Sequence, residues 1–389
     1  MDFSNITSNL TIDLSSTGIS VGYGSNSVTS AGYIVENLVA GSGSDQFNIS
    51  GDAVVNLYGN AGNDSFNFTG AGSLNGNLDG GAGTNSMNYA AYGSSVTYNL
   101  ETGAINAFTG TKTNIQNFVG SSYDDTIIGH NSGTIFNITG ANTGNVDGTL
   151  TFSSVENLDG GTANDSFNLI GSGFLTGVID GVTGYDTVDY SSYTSALSTI
   201  LTGASADGFD GTSNGISGFV NVDQLIGSPQ TDNLTGVDNL SIFDIDGTNQ
   251  YMVGGFIIDF SSYENLYGGS EADQFIISGN QTNNLYGNGG NDQFIFNNNA
   301  VLTGSIDGGT GLDEIDTSAY TTSRTFTLTG LGLIDGFNGT SNVLIGTFSN
   351  INSITGSSVA GDTLSGIHAA AVFDLAASTY TSSNVLTFS

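Results

Sequence analysis

The sequence predicts an all-β chain wound as a right-handed parallel β-solenoid, β-helix or β-roll-like, with about 20 residues per turn. Three observations predict it. A glycine-rich nonapeptide recurs along the chain, and its copies begin near one or two multiples of 20 residues apart. Short β-rich runs alternate throughout with Gly/Asn/Asp/Ser turns.

The nonapeptide is clearest in "GGTGLDEID" (308–316), which reads G-G-x-G-x-D-x-U-x with U a large apolar residue. Looser copies are "AGSGSDQFN" (40–48), "GNAGNDSFN" (59–67), "GGAGTNSMN" (80–88), "GGTANDSFN" (160–168), "GVTGYDTVD" (181–189), "GGSEADQFI" (268–276) and "GNGGNDQFI" (287–295). More worn are "GSSYDDTII" (120–128), "GSPQTDNLT" (227–235) and, with one inserted residue, "GSSVAGDTL" (356–364). The eighth position is apolar in every copy: Phe47, Phe66, Met87, Ile127, Phe167, Val188, Leu234, Phe275, Phe294, Ile315 and Leu364. Steps of 19 and 21 residues alternate with steps of 40 to 48, so some coils are expected to lack the motif.

Between the loops, runs such as "VTYNL" (96–100), "QFIIS" (274–278) and "RTFTL" (324–328) read as strands. No dozen residues carry a 3.6 period, and glycine is too frequent for helices. A row of antiparallel sandwiches is the rival architecture, but sandwiches need no 20-residue metre. A longer repeat lies above the short one: "VENL" (35–38) returns at 155–158 and as "YENL" (263–266), and "NYAAY" (88–92) returns as "DYSSY" and "DTSAY". The expected organisation is one continuous solenoid: a partial repeat over 1–32, units over 33–134, 135–241 and 242–371, and a partial repeat over 372–389. Because the two ends share one phase, the chain reads as a segment of a longer array.

Composition narrows the partners. The 389 residues include 59 Gly, one Pro, no Cys and only two basic side chains, Lys112 and Arg324, for a net charge of −34. Twenty-three Phe and 16 Tyr supply the core bulk that disordered acidic chains lack. No basic patch can form, so nucleic acid and anionic membrane surfaces are poor partners on electrostatic grounds, and neither nucleic-acid binding nor membrane insertion is expected. Nothing approaches the ~20 apolar residues of a membrane span, and the N-terminus shows no secretory signal. Divalent cations are the expected counter-ions.

Within each loop the glycines permit tight backbone, the sixth residue points into the loop, and the eighth starts a strand facing the core. Stacking should place Phe275, Phe294 and Ile315 in one apolar column and Asp273, Asp292 and Asp313 in a parallel one. Like charges so close repel by ~1 kcal/mol at ~4 Å even in bulk water, so something must neutralise them. The motif resembles the repeats of RTX (hemolysin-type calcium-binding) proteins, and the mixed repeat resembles RTX-like segments of large bacterial surface adhesins. That resemblance implies Ca2+ held by Asp45, Asp64, Asp165, Asp186, Asp273, Asp292 and Asp313. Here one motif falls in about 20 residues, where that family packs two into each turn, so ions would line one edge only. Turn capping by Asp, with no metal, is the competing reading, and the favoured one for the worn loops of Asp125, Asp232 and Asp362.

Other residues carry less. Glu36, Glu156 and Glu264 recur at one phase, as ion-facing or solvated carboxylates. Asn-rich runs suit side-chain amide ladders. Tyr89, Tyr92, Tyr190, Tyr193 and Tyr320 read as corner packing more readily than as sugar platforms. His130 and His368 sit in unlike contexts with no triad partner. The sequence therefore predicts no enzyme but an extracellular or cell-surface structural and adhesive segment: a calcium-stabilised stalk or spacer. Alternatives are a surface-layer or matrix-filament subunit, a carbohydrate-binding module, and a carbohydrate-active β-helix enzyme working with carboxylates alone. Expected partners are calcium ions, further copies end to end, and surface glycans or another cell-surface protein.

Overall fold

Period-two alternation sets the strands. Ser65–Gly70 buries Phe66 and Phe68 and turns Ser65 and Asn67 outward; Gln293–Phe296 does the same with Phe294 and Phe296. A computed structural model describes residues 1–389 except 33, 368–370, 375–377 and 383. Among the described residues every element is a strand, most of them three to seven residues long, and no helix occurs. The chain divides into two compact units, Met1–Asp186 with Gly215–Gly218, and Thr187–Asn214 with Phe219–Ser389. Each is built from long, mostly parallel sheets.

In the first unit one sheet aligns Ile12, Phe47, Phe66, Met87, Phe118 and Phe152 as successive parallel partners. Opposing strands align Leu38, Leu57 and Leu78, and farther on Tyr98, Ile127, Leu158 and Ile179. In the second unit one sheet aligns Phe243, Phe275, Phe294, Ile315 and Ile354. A second aligns Leu234, Leu266, Leu285, Ile306 and Phe348. The expected column of Phe275, Phe294 and Ile315 is thus present. Its rings stack: Phe243 on Phe275 and Phe275 on Phe294, both with centroids 5.0 Å apart, as Phe47 does on Phe66 at 4.6 Å. Each buried side chain of this size contributes ~1.5–3 kcal/mol, and ring stacking about 0.5–1.5 more per pair.

Outward positions are fastened by amides. Asn88 donates to Asn67, Asn67 to Asn48, and Asn48 to Asp13, at 3.1, 3.0 and 2.9 Å. In the second unit Asn284 donates to Asn265 and Asn265 to Asn233, at 2.8 and 2.7 Å. Such ladders need in-register parallel strands, where one residue type recurs at one height.

The long steps between motifs differ from expectation. They are not plain coils lacking the loop. Most contain an antiparallel excursion: Ile135–Gly140, Thr143–Val146 and Leu150–Ser153 form one, and Ser241–Ile245, Gln250–Val253 and Phe256–Ser261 another. A third joins Thr325–Leu331, Phe337–Ser341 and Leu344–Ile351, and Ser198–Ser205 turns back on Gly208–Ser213. The cause is local. "IFNITGANTGNV" holds two alternating runs around Asn142, whose φ of 50° turns the chain back.

Candidate functional site: the aspartate ladder

The sixth residue of the motif does point inward, and farther than the sequence suggested. Asp45, Asp64, Asp165, Asp186, Asp273, Asp292 and Asp313 are each 2% exposed or less. Their role is set by the main chain of the neighbouring loop. The Asp273 N–H donates to Asp292 Oδ1 at 2.8 Å, and the Asp292 N–H to Asp313 Oδ1 at 2.9 Å. The first unit repeats this: Asp45 N–H to Asp64 Oδ1, Asp64 N–H to Asn85 Oδ1, and Asp165 N–H to Asp186 Oδ1. Asn85 N–H continues to Gln116 Oε1, and Asp313 N–H to Asn352 Oδ1 at 3.2 Å. Each carboxylate or amide thus pins the loop before it, an N–H to carboxylate bond being stronger than a neutral one.

Glycine at the first position of ten of the eleven copies, Ala40 being the exception, fits this arrangement. A Cβ on Gly287 would overlap Asp292 Oδ2 and the main-chain oxygen of Gly308, and one on Gly59 would overlap Asp64 Oδ2 and Gly80 O. The second position decides what Oδ2 receives. Gly41 and Gly269 have ordinary φ and donate their N–H to Asp45 and Asp273 Oδ2, at 3.0 and 2.6 Å. Asn60, Gly161, Asn288 and Gly309 have φ of 69°, 134°, 71° and 93°. In those four loops Oδ2 of Asp64, Asp165, Asp292 and Asp313 is buried without a hydrogen-bond donor.

Burial is the first cause of every resolved shift here. It raises Asp64, Asp165 and Asp313 to about 6 and Asp292 to about 7, with neighbouring carboxylates adding to it. Asp45 and Asp273 are raised as well, against the opposing pull of their N–H donors.

The worn copies form a second loop class, which the sequence did not reveal. Their strands pair with other partners: Ile127 with Tyr98 and Leu158, Leu234 with Thr199 and Leu266. Each replaces the second residue by Ser, whose hydroxyl donates to the Asp: Ser121 to Asp125, Ser228 to Asp232, Ser357 to Asp362. Glu156 and Glu264 accept the N–H of Asp125 and Asp232 at 2.9 and 2.8 Å, standing where the next Asp stands in the other class. Glu36 is exposed. The signal was present in "GS" at positions one and two of all three worn copies.

A calcium ion requires six to eight oxygens around one point. In these loops each Oδ1 is occupied by a main-chain N–H, successive carboxylates are held one strand apart, and the side chains lie sealed under the loop. Among the described residues no group of three or more His, Cys, Asp or Glu side chains is placed to hold a metal. The seven aspartates act here through the main chain, each accepting a backbone N–H with Oδ1.

Other chemistry-bearing groups lie apart. Lys112 sits over the Tyr98 ring at 4.5 Å, with burial lowering its ammonium to about 8, and Arg324 lies over Tyr320. His130 approaches Glu101 at 3.7 Å, while His368 lies outside the described residues. Tyr89, Tyr190, Tyr193 and Tyr320 are buried and Tyr92 is half-buried. Compared with known proteins, the chain matches no family model and no curated protein.

Proposed function

We propose that the chain is a non-catalytic structural segment, a stalk or spacer within a secreted or surface-displayed repeat protein, folded as a parallel β-solenoid with about 20 residues per coil. The observation that carries this reading is the use made of the recurring polar residue. In the best-formed loops its carboxylate or amide is directed into the neighbouring loop's main chain, so the motif fastens a stack. The likeness of the loops to RTX-like adhesin repeats supports an extracellular setting. Calcium and other divalent ions enter as counter-ions to a charge of −34, drawn to the outward carboxylates.

A second reading, a glycan-binding module, has one feature in its favour. Tyr267 and Tyr286 stack at 4.3 Å on an outward, half-exposed strand face. Both readings are tested by exposing the full chain to a glycan array and to a panel of acidic and neutral polysaccharides. The spacer reading expects neither retention nor released sugar. Retention lost in Tyr267→Ala would replace it with the binding module, and released reducing ends with an enzyme.

A further inference from the structure

One outward face differs in kind from its counterparts. The excursion of Ser241–Ile245, Gln250–Val253 and Phe256–Ser261 pairs Ile242 with Met252 and Met252 with Ile257. All three point away from the core residues Phe243, Tyr251 and Ile258 beside them. Leu240 stands two residues before Ile242. It is 64% exposed and Ile257 49%, while Ile242 and Met252 are half-buried. Three large apolar side chains thus form a row across neighbouring strands, with a fourth next to it, and such a patch marks a contact surface.

The fold does not require apolar residues there. The excursions align on the inward residue that pairs with the next motif strand: Phe243 with Phe275, Phe136 with Phe167, Ile12 with Phe47. Counted from it, the places of Leu240, Ile242, Met252 and Ile257 hold Gly133, Ile135, Asp147 and Thr149 in one counterpart. In the other they hold Asn9, Thr11, Gly22 and Ser27. Next to the apolar row, the same face is acidic. Asp244 and Asp259 flank Gln250, whose amide donates to Asp259 Oδ1 at 2.9 Å, and the exposed Asp246 follows. The two rows lie two residues apart along the strands, about 7 Å, and neighbours within a row are about 4.8 Å apart.

We propose that this face docks a basic amphipathic helix of a partner protein, laid across the three strands. A helical turn of about 5.4 Å nearly matches the strand spacing, so one apolar side chain per turn can meet Ile257, Met252 and Ile242 in succession. Lys or Arg flanking that stripe then reach Asp244, Asp246 and Asp259. Charge selects this occupant. A second copy brings two basic side chains against 36 acidic ones, so it offers apolar cover but repels. An apolar surface without cations strips water from the carboxylate row and leaves it unpaid by any ion pair. Docking here adds a lateral contact to the spacer role and does not depend on it.

The test titrates the full chain with a synthetic helical peptide of Leu on one stripe and Lys on its flanks, followed by fluorescence anisotropy in chelator at ~0.15 M salt. Its control has every Leu replaced by Ser at the same charge. The Leu peptide should bind one per chain, at least about tenfold tighter than the control. Met252→Thr with Ile257→Thr, which keeps β-branched residues on the strands, should abolish that difference. Ile135→Thr, at the matching place in another excursion, should leave it unchanged, and Asp244→Asn should weaken binding several-fold and flatten its salt dependence. Hydrogen exchange on the parent chain carries the test even if the double variant fails to fold: the peptide should slow exchange across residues 241–261. Equal binding of the two peptides, parent-like binding by a folded double variant, or protection confined to other strands overturns the proposal. So does sedimentation that finds the parent dimeric without peptide and the double variant monomeric, which assigns the face to a second copy.

Discussion

Gly311 shows how little room a loop residue has. Its φ is 140°, and a Cβ there would run into the main-chain oxygen of Gly290 on the neighbouring loop. Backbone strain and overlap with an atom that cannot swing away should make Gly311→Ala cost roughly 3 kcal/mol. Gly330 has ordinary φ and open space, so Gly330→Ala should change stability by only about 0.5 kcal/mol in either direction. Denaturant unfolding of the two variants checks this, and equal losses would remove the close-approach argument. In the second loop class, Ser228 donates to Asp232 at 2.9 Å and accepts the Gln230 N–H at 3.1 Å. Ser228→Ala should cost about 1–2 kcal/mol in the same assay, since it leaves a buried carboxylate oxygen short of a donor. At this scale the sequence was half legible. That the sixth residue enters the loop followed from the motif. What its second oxygen meets did not, because it depends on φ at position two, and Gly269 and Gly309 adopt opposite answers with the same side chain.

Strands align by what recurs at one height, and this was the most legible level. An apolar eighth position in all eleven copies put Phe275, Phe294 and Ile315 into register before any strand was placed, and the observed pairing is Phe275 to Phe294 to Ile315. Phe294→Ala should cost about 3–5 kcal/mol, while Phe294→Leu, which keeps most of the volume, should cost markedly less. Calorimetry that finds the two equal would mean the column relaxes around the cavity. The amide ladders give a sharper check. Asn265 donates to Asn233 and accepts from Asn284, so Asn265→Asp can still accept but cannot donate. It should lose about 1–2 kcal/mol at neutral pH and recover part of that in acid, once the new carboxyl is protonated. Antiparallel excursions were missed at this level because the spacing of motifs counts residues without saying how they are routed. "IFNITGANTGNV" carries the hairpin in its own turn residues, which a 20-residue metre does not encode.

Charge acts on the whole molecule. Thirty-six acidic side chains against two basic ones leave −34, and self-repulsion of that size opposes every compact state. Screening should therefore stabilise the fold without any specific site: the melting temperature should climb steadily with sodium chloride over the range in which the Debye length shrinks from about 10 Å to about 3 Å. Divalent ions should act more strongly per mole than sodium, because they gather more densely around a polyanion. If divalent ions act only as counter-ions at the outward carboxylates, as proposed, calcium has no six- to eight-oxygen cage to prefer, whereas magnesium and calcium differ sharply in the cages they accept. The two ions should consequently raise the melting temperature by nearly the same amount at equal concentration, and the rise should show no saturating step. Titration of each ion into the chelator-treated chain, followed by calorimetry, separates the cases. A calcium step that saturates while magnesium gives none, and that vanishes in Asp313→Asn, would move the ions from the outer surface into the loops and return the aspartate ladder to the role of a metal site.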